Sequence, residues 1–480
     1  MVAQKFLDVF SDPSGRALAV PVIPTLGNND ILPHNVLLPG PNRWLTYYTD
    51  IWRRFIPEEQ RHSFEFGGWF YVEVVPNRLA VFSLNTLYFF DRNAGVDDCV
   101  TPSEPGFKQM EWLRIQLAFM RERGMKAILT GHVPPARTGS KQLWDETCWH
   151  KYVLWLRQYR DVVVSGVYGH MNVDHFLLHD TNEADKLLAG VIDQSVREPM
   201  EDELSTESTA DYLQELRAGW TRLPKPRLFE ADDADSDEDP DEADQSKRRK
   251  KHKKPKKPKL RRKWGERYQV SLVGPSVVPN YFPTLRVIEY NISGLEDSPT
   301  WVDQPPTVDG RGVSSQTVLR PDGIFREEFD LDAELARKKK KKHRKHKPKK
   351  PKDPNLVVPA PPSPSGPPGP AYSPQPLSLR GYTQYFANLT HINHEPPESA
   401  QSKPRPRPFK YEVEYSTFDD RTYNLTDMTV NSYLELAYRM GQKTAPHANS
   451  KKKHNEVWLH FLRHAFVRTV SREELEELER

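Results

Sequence analysis

Two stretches decide the reading: Lys126-Ala127-Ile128-Leu129-Thr130-Gly131-His132-Val133-Pro134-Pro135 and Val162-Val163-Val164-Ser165-Gly166-Val167-Tyr168-Gly169-His170-Met171-Asn172. Each is a short apolar run closed by glycine and then histidine. A short apolar run bounded by glycine reads as a buried strand, and a polar group just beyond it lies at the strand's C-terminal end, where α/β sheets place their sites. Residues 149–159 between them carry a helical pattern.

The same alternation extends outward from these two stretches. Residues 18–23 form an apolar run ending at Gly27-Asn28-Asn29-Asp30, and residues 69–75 and 79–84 flank Pro76-Asn77-Arg78 as a hairpin. Met110, Leu113, Leu117 and Met120 fall three and four apart, which predicts a helix over 107–123 closed by Gly124. Residues 17–179 therefore read as an α/β unit. Further strands are expected at 270–273, 285–290 and 409–415, and helices at 432–440 and 458–469.

Charge and proline divide the rest. The chain has 480 residues, 43 of them proline, and its net charge of +3 is the difference between 69 basic and 66 acidic side chains gathered into blocks. Residues 230–244 are nearly all acidic, and 247–263 and 337–352 are strongly basic; such runs cannot bury a core and read as disordered. The expected partition is a first α/β part over 1–200, a linker over 201–265, closing strands over 266–300, a Lys/Pro-rich insert over 301–376, and a strand and helix region over 377–480. No apolar window is long enough for a membrane span, and the N-terminus lacks the basic and apolar regions of a signal peptide. The two cysteines, Cys99 and Cys148, suit either one disulfide or two buried thiols, while Asn291, Asn388 and Asn424 stand in glycosylation sequons.

Asn28, His132 and His170, each in a loop after an apolar run, can ligate a metal through a neutral oxygen or nitrogen. The succession Gly27-Asn28-Asn29-Asp30, Gly131-His132-Val133-Pro134-Pro135 and Gly169-His170-Met171-Asn172 resembles the last three motifs of calcineurin-like metallophosphoesterases. Asn29 where histidine is usual, the continuation to Phe176, and Ser276-Val277-Val278-Pro279 resemble the fungal endopolyphosphatases, which are related to acid sphingomyelinase.

That resemblance implies a β-sandwich flanked by helices, incomplete at the N-terminus, and hydrolysis of phosphoanhydride bonds within inorganic polyphosphate by a water activated between two divalent ions (Mn, Co, Mg, Zn or Fe). It implies that Asn28, His132 and His170 ligate one ion and Asn172 the other, that Asn29 and His132 are catalytic, and that Asp30, Asp174 and His175 support them from behind. It favours a Cys99–Cys148 disulfide and a glycoprotein on the lumenal side of the vacuolar membrane, held by an N-terminal anchor upstream of Met1. The family's Asp-x-His and Gly-Asp motifs, which supply the carboxylate ligands, occur nowhere in the 480 residues, so an N-terminally truncated chain is expected. Asn29 cannot donate a titratable proton to an alkoxide, whereas a phosphate leaving group needs none, which favours polyphosphate over the alternative, a sphingomyelinase-like phosphodiester. The basic tracts suit a polyanion by counterion release, with polyphosphate rather than nucleic acid the expected partner, and their dibasic pairs invite lumenal proteases. A fragment that only binds polyanions is the remaining alternative.

Overall fold

The computed structural model describes residues 2–139, 141–188, 206–224, 264–278, 280–301, 353–393, 407–442 and 454–479. The acidic block 230–244 and the basic tracts 247–263 and 337–352 lie outside the described residues.

Six strands form one mixed sheet: β1 (Phe70–Val75), β2 (Leu79–Ser83), β3 (Lys126–Thr130), β4 (Val163–Tyr168), β5 (His175–Asp180) and β6 (Tyr268–Val273), in the spatial order β1-β2-β3-β4-β6-β5. The hairpin β1/β2 is antiparallel, with Asn77 in the left-handed region its turn requires. The pairs β2/β3, β3/β4 and β4/β6 are parallel, so the C-terminal ends of β2, β3, β4 and β6 share one edge of the sheet. Every residue of β6 is buried, as expected of a central strand with both faces covered. Helices Pro105–Glu122 and Glu146–Gln158 make the crossovers on either side of β3. The first bears Met110, Leu113, Leu117 and Met120 on its buried stripe and ends before Gly124 at φ +66°. The second starts at Asp145, whose carboxylate accepts from Thr147 N and Cys148 N. Cys99 and Cys148 form a disulfide, tying the loop before one helix to the start of the other.

A second, three-stranded antiparallel sheet comprises β7 (Thr284–Tyr290), β8 (Leu379–Phe386) and β9 (Glu412–Ser416). The two sheets meet at Asp174, whose carboxylate contacts Arg286 of β7 at 2.5 Å, Gln384 of β8 at 3.1 Å and Tyr415 of β9 at 2.5 Å. Helices Val430–Gly441 and Glu456–Ala465 pack onto the larger sheet through an aromatic cluster in which Phe176 stacks on Trp220 and touches Tyr433 and Phe461.

Three sequence expectations are corrected. Residues 18–23 form no strand: beyond a single bridge between Ser11 and Leu18 and bonds from Ala19 N and Val20 N to Phe10 O they join no ladder, and Pro21 within the run removes a ladder donor. Part of the expected linker is the helix Thr206–Trp220, which buries Tyr212, Leu213 and Trp220. The proline-rich end of the expected insert, from Asp353 onward, is packed: Asp353 reaches Lys151 at 2.8 Å with both side chains wholly buried, and Ala371, Tyr372 and Leu377 join the core. Proline needs no ladder partner to be ordered, and a chain without helix or strand still packs where its apolar side chains are buried. Of the expected closing strands, β6 completes the large sheet while β7 begins the small one.

Candidate metal centre

Three loops gather at the shared edge of the large sheet. Ser83, the last residue of β2, donates to Pro24 O at 2.7 Å and docks the 27–30 turn beside the strand ends. Gly131 N donates to Val167 O, and Gly169 N to His132 O, zipping the loops after β3 and β4 together. Thr86 Oγ1 accepts from His132 N at 3.2 Å and Val133 N at 2.8 Å, so the backbone carrying His132 is held by a buried hydroxyl. A Cβ on Gly131 would sit 2.4 Å from the Thr86 methyl, where a side chain has no room, and one on Gly27 would crowd the Asp30 carboxylate at 2.9 Å and the His132 ring at 3.2 Å.

Three donor atoms converge there. Asn28 Oδ1 lies 2.7 Å from His132 Nε2 and 3.0 Å from His170 Nδ1, and the two histidine nitrogens are 3.2 Å apart. The amide of Asn28 is oriented by its other end: Nδ2 donates to Asn35 Oδ1 at 2.9 Å and Asn29 Oδ1 at 3.2 Å, which turns Oδ1 toward the imidazoles. Asn35 stands at φ +67°, His170 at +69° and Asn172 at +59°. Three non-glycine residues held left-handed around one point is strain of the kind that collects at functional sites.

Both imidazoles are kept neutral. Burial lowers His132, with the Asp30 charge opposing, and pushes His170 down to about 3, helped by His132, Arg92 and Lys141. Neutral nitrogens are what a cation needs from histidine. Two imidazoles and an amide oxygen aimed at one point fit the neutral side of a divalent-cation site.

The other expected site residues fall differently. Asn29 is exposed, with its oxygen bound to Asn28. Asn172 stands two residues from His170, and its side chain makes no hydrogen bond among the described residues. Asp30 caps the 27–30 turn by accepting from Gly27 N at 2.8 Å. Asp174 and His175 face elsewhere: Asp174 joins the two sheets, and His175 bonds Val173 O and the Tyr212 hydroxyl. Of the sequon asparagines, Asn291 closes a turn with Ser293, Asn388 caps the helix Leu389–Asn393, and Asn424 is exposed at φ +48°. Sequence reasoning did not single out Thr86, Asn35, Arg92 or Lys141; the two cations come from the loops after β2 and β3 at positions outside the quoted motifs, and only the fold puts their charges near His170.

No protein-family model matches the chain. It is 52% identical to the endopolyphosphatase of Neurospora crassa over 92% of its own length, spanning 64% of that protein. It is 34% identical to the Saccharomyces cerevisiae endopolyphosphatase, covering 92% of this chain and 68% of that one. The Yarrowia lipolytica endopolyphosphatase is 32% identical, with 97% of this chain and 72% of the relative aligned. Identity of 32–52% sustained over more than 90% of the chain, with 68% and 72% of the Saccharomyces and Yarrowia relatives covered, makes this chain a member of the endopolyphosphatase family.

Proposed function

We propose that this chain carries part of a centre that hydrolyses phosphoanhydride bonds within inorganic polyphosphate. The observation that carries the reading is the convergence of Asn28 Oδ1, His132 Nε2 and His170 Nδ1 within 3.2 Å of one another. The names of the relatives, endopolyphosphatases throughout, support it.

In this reading Asn28, His132 and His170 hold one divalent cation, Asn172 contributes to a second, and the β-sandwich of the calcineurin-like metallophosphoesterases is the parent fold. When bound, the cations supply charge against the phosphoryl oxygens and acidity for the attacking water. The chain's own residues do the rest. Thr86 fixes the backbone of His132, and Asn35 fixes the amide of Asn28. The charges of Arg92 and Lys141, already felt by His170, attract a polyanion to the loop edge. Asn29 carries no acid to protonate a leaving group, and a departing phosphate is a weak enough base to leave without one.

The Cys99–Cys148 disulfide supports an oxidising compartment, and a vacuolar lumen fits it; the three sequon asparagines at turns and a helix cap suit glycosylation there. No described helix is long and apolar enough to cross a membrane.

The test is chain length. The complete protein, supplied with manganese or cobalt, is expected to shorten long polyphosphate and to leave choline phosphodiesters intact, read on a gel and by phosphate release. Cleavage of the phosphodiester with polyphosphate untouched would reject the substrate class. Loss of shortening in His170→Ala ties the activity to this cluster.

A further inference from the structure

A second group of metal-ligand atoms lies in the C-terminal region, apart from the loop cluster. His460 and His464 stand one helical turn apart on Glu456–Ala465, so their rings share a face. Their Nε2 atoms are 3.2 Å apart, and Asp420 Oδ2, from the turn after β9, lies 2.7 Å from His460 Nε2. All three donor atoms fall within 4.8 Å of one another.

Each donor is fixed from behind. Asp420 Oδ1 accepts from Thr422 N at 2.8 Å and Tyr423 N at 2.9 Å, leaving Oδ2 to face the histidines. His464 Nδ1 bonds the wholly buried carboxylate of Glu414 at 2.8 Å. Donation from Nδ1 to that carboxylate leaves the Nε2 lone pair pointing into the cluster, which is how metal-ligating histidines are held. Hydrogen bonding alone serves the group poorly: a single N–H on His460 Nε2 faces two acceptors, the Asp420 oxygen and the His464 nitrogen. A cation satisfies all three.

We propose that Asp420, His460 and His464 bind a first-row divalent cation, with zinc the best match to two imidazole nitrogens and one carboxylate oxygen. A cavity of about 390 Å³ opens beside the group and is lined by His460 together with Thr422, Glu456, Leu459, Arg463, Arg468 and Arg472, so that solvent reaches the cluster on its His460 side. The ion ties the turn after β9 to the helix Glu456–Ala465. Its support continues inward, since Gln384 Nε2 bonds both Glu414 at 2.7 Å and Asp174 at 3.1 Å, and Asp174 N donates to Ala465 O beside His464. The site therefore braces the start of β5, just beyond the loop that bears His170 and Asn172.

The test separates this site from the loop cluster. The full chain carrying His132→Ala and His170→Ala is stripped of metal, titrated with Zn²⁺ by calorimetry and assayed for bound zinc after dialysis. The expected result is one retained zinc per chain and a raised unfolding temperature, both lost on adding His460→Ala or Asp420→Asn. Absence of tight zinc in the His132→Ala/His170→Ala chain, or zinc retained unchanged after His460→Ala, overturns the proposal. Should the added substitution prevent folding, X-ray absorption on the zinc-loaded His132→Ala/His170→Ala chain decides. A shell with two imidazole nitrogens at roughly 2.0–2.1 Å supports the site, and one without imidazole overturns it.

Discussion

Asn28 and His132, 104 residues apart, meet with Oδ1 2.7 Å from Nε2, and the contact depends on a third residue, Asn35, which holds the other end of the amide. Replacing Asn35 by glycine keeps its left-handed backbone while removing the acceptor, freeing the Asn28 amide to rotate. Losing such an outer partner lowers metal affinity by about 10–100-fold. Calorimetric Mn²⁺ titration of Asn35→Gly should show this drop, with Asn35→Asp, which retains an acceptor oxygen, closer to the parent. Equal affinities in all three proteins would show that the amide needs no such support.

The Cys99–Cys148 bond closes a loop of 49 residues in sequence separation. Restricting the unfolded chain across such a loop is worth about 2–5 kcal/mol. Cys99→Ala/Cys148→Ala should lower the unfolding free energy by that much and move the urea midpoint down, with a somewhat steeper slope because the unfolded chain is no longer cross-linked. A midpoint unmoved by both the double substitution and reductant would mean that the bond contributes nothing to stability.

Lys151 and Asp353 are a wholly buried ion pair, and Lys151 also donates to Cys99 O at 2.5 Å. Removing one partner of a buried pair strands the other charge, at a cost of about 3–5 kcal/mol. Asp353→Ala is therefore expected to destabilise the whole domain by that amount in chemical denaturation, and Lys151→Met/Asp353→Leu to recover most of the loss. A negligible effect of Asp353→Ala would detach the proline-rich segment from the core.

Burial pushes His179, bonded to Ser271, and His175, bonded to Tyr212, each down to about 4. Both values lie below the unfolded one near 6.5, so the unfolded chain takes up protons first as pH falls. The stability these neutral rings confer is complete above pH 6.5 and drains away toward pH 4, with about 2 kcal/mol per histidine gone by pH 5. His179→Gln should flatten the fall in unfolding free energy between pH 7 and pH 5 by that amount. An identical pH dependence in the variant would show that His179 titrates normally in the fold.

Much of the sheet was readable in sequence, since apolar runs alternating with a helical stripe such as Met110, Leu113, Leu117 and Met120 leave few other arrangements. His132 and His170 were readable for the same reason, since each follows a strand and β3 and β4, paired in parallel, bring their ends to one edge, whereas Asn28 follows no strand and reaches that edge through the bond from Ser83 to Pro24 O. Residues 18–23 misled because apolarity suggests a strand while Pro21 within the run removes a ladder donor. The segment from Asp353 onward misled in the opposite sense, its prolines suggesting disorder although a single buried carboxylate and several aromatic and aliphatic side chains pin it down. Arg92, Lys141 and Asn35 were invisible because their roles are matters of distance, which no spacing in the sequence encodes. His460 and His464 did show helical spacing, but the carboxylates of Glu414 and Asp420 that give the pair meaning arrive from another element.

The two flanks of residues 302–352 are anchored independently: Trp301 donates to Leu18 O at 2.8 Å, and Asp353 locks onto Lys151. Backbone continuity between them is not what holds β7 beside β8; that is done by their own ladder from Thr284 to Leu379. Cleavage between Trp301 and Asp353 leaves both anchors and that ladder in place, so the two polypeptides are expected to stay together until denaturant separates them. Two bands on a denaturing gel would then report processing rather than damage.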